Sequence, residues 1–287
     1  MKSEGKGRIA DREQRVELLR GQNLFSNVFM SVALREPAAC QHVLRTLLDI
    51  PSLAVHAVRT RYHISNLRSK DSELDVLAED ASGKMYNIEI QRADTEDHAR
   101  RVRYYGALID SEFLAKGGRY QDLPNVYLLY VSETDFWRRG LTACPIQKSF
   151  PDRKAYEDGM QILYVNAAVD DGSERARLMR YFRTTDPEDQ SQGALSARVR
   201  FLKIEEGGYR EMEAVVEEIF QDGVRVGREE GREEGLAEGV KSERRETAFR
   251  LLARGAELDE IIYVAGASPE QAEQWIREWK AGQREKS

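Results

Sequence analysis

From Asn23 onward apolar residues recur at helical spacing: Phe25, Val28, Phe29 and Val32, then Val43, Leu44, Leu47 and Leu48. Pro37 interrupts the run, so the pattern predicts two amphipathic helices that close at Pro51 and Ser52. Further on, the period shortens to two in "LDVLAEDASGKMYNIEIQ", Leu74 to Gln91, which predicts a β-hairpin. A helical pattern returns over Asp97 to Ala115, basic in its first half and stopped by Gly117 and Gly118. "NVYLLYVSE" (Asn125 to Glu133) and "MQILYVNAAV" (Met160 to Val169) are β-branched and aromatic, as buried strands are. Helices, hairpin, helix and strands in this order predict an α/β layer architecture.

The ends of the chain read differently. Residues 1–21 are charged and contain glycine, which predicts a flexible leader. From Tyr209 nearly every residue is a helix former, yet Gly227, Gly231, Gly235 and Gly239 recur every four residues. Each costs a helix about 1 kcal/mol relative to alanine. Residues 207–241 therefore read either as a charged, Gly/Glu-rich linker or as a self-association helix with a small-residue face. Residues 242–287 read as a small helical module, with Ser268 as N-cap, Pro269 at the first helical position and Gln271 closing a capping box. Glu270, Glu273 and Glu278 fit an anionic major groove poorly, so packing or dimerisation is preferred there over DNA readout.

Composition narrows the class. The 287 residues are 41% hydrophobic and carry a formal net charge of -6, which supports a folded core and excludes a basic nucleic-acid coat. Cys40 and Cys144 are the only cysteines, and the four histidines show no metal-binding spacing, so any metal would be hard and oxygen-bound. No stretch approaches the roughly 20 apolar residues of a membrane span, and no signal-peptide pattern opens the chain; a cytoplasmic protein is expected. Ala57 to Lys70 contains four basic residues and no acid, which reads as a solvated loop or edge strand, or as a phosphate-facing one. There is no P-loop, no GxSxG elbow and no dinucleotide fingerprint.

The hairpin carries the chemistry. "DASG" is a turn signal, with Gly83 suited to the left-handed position of a three-residue loop. If residues 81–83 form the loop, Asp80 pairs with Lys84, Asp75 lies opposite Glu89, and Glu73 opposite Gln91. Directly opposed residues stand roughly 4.5 to 5.5 Å apart at Cβ, where like charges destabilise a sheet. Two such carboxylates suit a shared Mg²⁺. Acids on an exposed hairpin face, or a pairing slipped by one residue, are the structural alternatives.

At these residues the chain resembles the PD-(D/E)XK nuclease superfamily, and within it the Rpn-type recombination-promoting nucleases, the PD-(D/E)XK nuclease family transposases. The resemblance runs from about Asn23, over "NLFSNVF", "SKDSELDVLAEDASGKMYNIEIQ", "RVRYYGALIDSEFLAKGGRYQDLPNVYLLYV" and the Gly/Glu-rich tail with "LLARGAELDEIIYVAGASPEQ". It implies a restriction-endonuclease-like mixed central sheet flanked by helices over 22–206, with a C-terminal helical extension. It also implies a Mg²⁺-dependent DNA endonuclease, with Mn²⁺ as a substitute, that promotes recombination. Asp75 and Glu89 map onto the metal-binding acids and Gln91 onto the third motif position, with the Ile90 carbonyl as a further metal ligand. Glu36, Glu73 and Lys70 are accessory positions. Arg61, Arg68, Arg92, Arg100, Arg101 and Arg103 are expected on the DNA backbone, and the "YY" pair Tyr104 and Tyr105 chiefly packs its helix against the sheet. The superfamily's usual lysine is Gln91 here, which cannot supply positive charge; Lys70, Arg92 and Arg103 are the expected sources of it. A homo-oligomer formed through the C-terminal region is expected. The competing reading is a non-catalytic or weakly active oligomerising, DNA-associated protein that keeps the fold; strand transfer rests on the family label alone.

Overall fold

The computed structural model describes residues 13–64, 72–92 and 97–284. Its order is α1 (Asn27–Leu34), α2 (Pro37–Leu48), β1 (Val55–Ile64), β2 (Ser72–Asp80), β3 (Met85–Gln91), α3 (His98–Phe113), β4 (Val126–Ser132), β5 (Ala143–Ile146) and β6 (Met160–Asn166). The helices α4 (Glu174–Arg183), α5 (Ala194–Ile204), α6 (Glu206–Leu252), α7 (Leu258–Ala265) and α8 (Pro269–Arg284) follow. The chain divides into two compact units, Met1–Glu217 and Glu218–Ser287.

The first unit is built on one six-stranded mixed sheet of order β1-β2-β3-β4-β6-β5. β1, β2 and β3 form an antiparallel meander; α3 carries the chain over to β4, which runs parallel to β3, and β6 runs parallel to β4. The short β5 closes the far edge antiparallel to β6. Strands in the parallel middle of a sheet are covered on both faces, and β3 accordingly is buried from Met85 through Ile90. The stretch from Ala57 therefore begins in an edge strand, β1.

The predicted break at Pro37 is real, with Ser26 capping α1 through its hydroxyl and Pro37 opening α2. Both helices lie near β1 and α5, and α1 also reaches β2. On α3, Gly106 is a close-approach residue: a Cβ there would stand 2.5 Å from Met160 Cε and 3.2 Å from Leu128 Cδ1. That contact seats α3 tightly on the sheet, over a core that includes Leu74, Val102, Leu108, Leu128 and Tyr130.

The structure adds detail in three places. The leader, read as flexible over 1–21, is helical over 13–20, where Val16 and Leu19 are buried; the apolar positions of "RVELL" supply the packing face, and residues 1–12 lie outside the described ones. The stretch 207–241, read as a Gly/Glu-rich helical linker, is helical, and α6 runs unbroken from Glu206 to Leu252 through all four repeated glycines. Finally, α4, α5 and β5 occupy stretches to which the periodicity reading assigns no element; Ser173 nonetheless caps α4 with a hydroxyl bond to the Ala176 N–H.

In the second unit, Ala248, Leu252, Ile261, Ala265, Ala272 and Trp275 form a small core. Its capping box forms as expected: Ser268 N–H donates to Gln271 Oε1 (3.1 Å), and Gln271 N–H to Ser268 Oγ (3.3 Å). No helix among the described residues is long and apolar enough to cross a membrane.

Candidate active site

The turn sets the register. Gly83 adopts φ +78°, its N–H donates to Asp80 O (3.0 Å), and Asp80 N–H donates to Lys84 O (3.0 Å). Asp80 Oδ1 accepts from Ser82 N–H (2.8 Å) and Lys84 N–H (3.1 Å), which rigidifies the loop. The ladder runs Glu79 to Met85, Ala78 to Tyr86, Leu77 to Asn87 and Val76 to Ile88 and ends there, one step short of Asp75 and Glu89.

At that step side chains replace the ladder. Asp75 N–H donates to Glu89 Oε1 (3.2 Å), and Ile90 N–H donates to Asp75 Oδ2 (3.0 Å). On the other flank β1 is distorted at the same level: Arg61, between the pairs Thr60–Val76 and Tyr62–Leu74, holds a left-handed φ of +51°. A non-glycine residue in that conformation inside a strand is strained, and such strain clusters where function over-determines the backbone. Asp75 thus sits where the regular pairing of β2 gives way on both sides.

Neither acid lies on an open hairpin face. Glu89 is 7% exposed, beside Asn87 at 1%. Asn87 Nδ2 donates to Glu89 Oε1 (2.9 Å), and Tyr105, on the sheet-facing side of α3, lies beside the same carboxylate and favours its ionised form. Asp75 Oδ1 receives a long bond (3.4 Å) from Asn27 Nδ2 in the first turn of α1. Burial, and then repulsion by Asp75, holds the Glu89 carboxyl well above its ordinary range. Burial likewise pushes Asp75 up to about 6, against the downward pull of the Ile90 N–H and Arg101. Two carboxyls, both reluctant to ionise and each bonded to the other's strand, form an oxygen-only donor set. That suits a hard dication. Among the described residues no third acid, histidine or cysteine completes a group of three around them.

A family model described as PD-(D/E)XK nuclease family transposase matches residues 41–198. The chain belongs to this family. The match spans the whole sheet and both hairpin acids, and nucleases of this PD-(D/E)XK kind typically use divalent metals. No curated protein and no solved structure matches the chain.

The remaining PD-(D/E)XK positions scatter. Gln91 is half-buried at the end of β3, where its Oε1 accepts from Arg101 Nη1 (2.9 Å). Glu73 is engaged by Arg61 (3.2 Å) and by His63 Nε2 (2.9 Å) on β1, so Arg61 is turned to an acid. Glu36 is exposed at the N-cap of α2 and makes no side-chain cap bond. Arg92 is exposed, 3.9 Å from Glu133, while Arg100 and Arg103 are exposed on α3. Arg68 and Lys70 lie outside the described residues.

Sequence reasoning missed Asn27, Asn87 and the place of Tyr105 beside Glu89. Asn27 lies within "NLFSNVF", already a carrier of the resemblance, but nothing local says that α1 reaches β2. Asn87 did carry a signal: it lies two residues before Glu89, on the same face of the strand.

Proposed function

We propose that this chain is a Mg²⁺-dependent endonuclease that hydrolyses DNA phosphodiesters and promotes recombination, acting in the cytoplasm, with Mn²⁺ as a substitute. The observation that carries the reading is the apposition of half-buried Asp75 and buried Glu89 where the β2–β3 ladder stops. In a strand the N–H and C=O of one residue point to the same side. The Ile90 carbonyl therefore faces β2, beside Asp75, and joins the two carboxylates as the third oxygen donor. A bound dication would lower the pKa of a coordinated water and polarise the phosphate.

The protein's own groups do the rest. Asn87, Tyr105 and the Asp75 N–H orient Glu89, and Ile90 N–H orients Asp75, so that both carboxylates are held before a cation arrives. Arg100 and Arg103, exposed on α3, together with Arg92, meet the DNA backbone and read no bases. Glu73, drawn off by Arg61 and His63, acts on this centre through its charge alone, which helps push Asp75 up. Free Cys40 and Cys144 accord with a reducing compartment.

The test is incubation of purified protein with supercoiled plasmid in Mg²⁺ or Mn²⁺, beside Asp75→Ala, Glu89→Ala and a chelator control. Cleavage should require metal and fall at least about a hundredfold in either variant, ~3 kcal/mol of transition-state stabilisation. Metal-dependent nicking that survives both substitutions rejects the site. A wild type inactive across metals and DNA forms favours the second reading, a non-catalytic DNA-associated protein, for which Gln91 is the supporting residue.

We further propose that the chain self-associates through its C-terminal helical region. A Cβ added at Gly227, Gly231, Gly235 or Gly239 would meet nothing within 4 Å, so this face of α6 is free to approach a second copy. Light scattering of the chain truncated at 206 tests this; an unchanged oligomeric mass rejects it.

A further inference from the structure

A nuclease site of this family lacks its positive group when position 91 is glutamine, and no lysine stands nearby in β3. The structure brings a cation to the same place from another element. Arg101 lies in the first turns of α3, and its Nη1 donates to Gln91 Oε1 at 2.9 Å. Tyr105, four residues on and so on the same helix face, lies beside Glu89. Gly106 lets that face approach the sheet closely. The charge on Arg101 is felt at both Asp75 and Glu89.

The residue at 91 and the residue at 101 explain each other. A guanidinium has five N–H donors and no acceptor, so it needs an oxygen to seat it; an ammonium at 91 would repel it, whereas the glutamine amide oxygen accepts from it. Holding one Nη on Gln91 fixes the plane of the fork, and a fixed fork is the geometry that engages two phosphate oxygens.

We propose that Arg101, seated by Gln91, is a catalytic residue that contacts the scissile phosphate and supplies from α3 the positive charge that position 91 lacks. The assignment rests on the nuclease reading above. In the hydrolysis a water oxygen bonds to phosphorus, the P–O ester bond breaks with its electron pair on the departing oxygen, the water proton passes to solvent, and the departing oxygen takes a proton from solvent to leave as the alcohol. Arg101 exchanges no proton in this step. It stabilises the charge that builds on the non-bridging oxygens.

The experiment relocates the charge in the full-length chain. Arg101→Ala, Arg101→Lys, Gln91→Lys and the double variant Arg101→Ala/Gln91→Lys are compared in single-turnover plasmid cleavage and in DNA binding in EDTA across a salt series. Thermal melts confirm folding. Arg101→Ala should slow cleavage by about a hundredfold, within the range for loss of one transition-state donor. Arg101→Lys should retain part of the rate, and the double variant should cleave faster than Arg101→Ala. In EDTA the slope of log Kd against log salt should shrink by about 0.9 in Arg101→Ala and not in Arg101→Lys. A folded Arg101→Ala that cleaves like wild type, a double variant no faster than Arg101→Ala, or an unchanged slope overturns the proposal. If Arg101→Ala does not fold, Arg101→Gln replaces it in every comparison. If the wild type cleaves nothing, the nuclease reading fails, and the slope still decides whether Arg101 meets phosphate.

Discussion

The β2–β3 hairpin and the glycine repeat of α6 each break a local rule, one by opposing two acids and the other by placing four glycines in a helix. Their surroundings differ. Around Asp75 and Glu89 the chain has assembled Asn27, Asn87, Tyr105 and the Ile90 N–H, from α1, β3 and α3. Around Gly227, Gly231, Gly235 and Gly239 there is open space where a side chain would stand. A locally unfavourable residue that is buried among dedicated partners has its reason inside the fold. One that faces nothing has its reason in another molecule, or has none.

The largest effect that would break this contrast is at Asp75. Asp75→Asn keeps an oxygen for the Ile90 N–H and removes the charge, so cleavage should fall at least about a hundredfold. The same change should stabilise the metal-free protein at pH 8 by about 2 kcal/mol, since burial of the ionised acid is what holds Asp75 near 6. At pH 5 that gain should vanish. Loss of stability at pH 8 in denaturant titrations would show that the carboxylate is a structural group and not a metal ligand in waiting.

Next in size is the pH response of the wild type. Asp75 ionises at about 6 in the fold and near 3.8 in the unfolded chain, so between these values the folded state binds more protons. Its contribution to stability is therefore fully present below pH 3.8 and lost as pH rises through about 6. Glu89, raised in the same direction, adds to the decline. Mg²⁺ should reverse this, raising the melting temperature more at pH 8 than at pH 5. An equal rise at both would separate cation binding from these two acids.

The smallest effect compares two helical glycines. Gly231→Ala adds a Cβ into open space and should stabilise α6 by about 0.5 to 1 kcal/mol in the dissociated chain. Gly106→Ala should show none of that gain, because its Cβ must displace Met160 and crowd Leu128. If Gly231→Ala instead weakens self-association in sedimentation, the open face is an interface and the contrast between the two regions narrows.

Much of the hairpin was legible because its register depends on neighbours in sequence. Asp80, Ser82 and Gly83 close the turn, and counting outward from it sets Asp75 against Glu89 without reference to the rest of the chain. Pro37 and the Ser268 capping box were legible for the same reason. The left-handed Arg61 was not, since the conformation is imposed by β1 crossing the level of Asp75. Burial of the acids was not legible either: alternation places Asn87, Glu89 and Gln91 on one face, but only the docking of α3 decides that this face is covered.

The sequence alone thus determined the α/β class, the hairpin and the register of its turn, all of which follow from short-range turn geometry and residue type. The tertiary structure decided which charge serves Gln91, that Asn27 reaches Asp75 across 48 residues of chain, and that Glu73 is drawn off by Arg61 and His63. These depend on where α1, α3 and β1 come to rest. That is set by burial of apolar surface summed over the whole core, and no short stretch of sequence carries it.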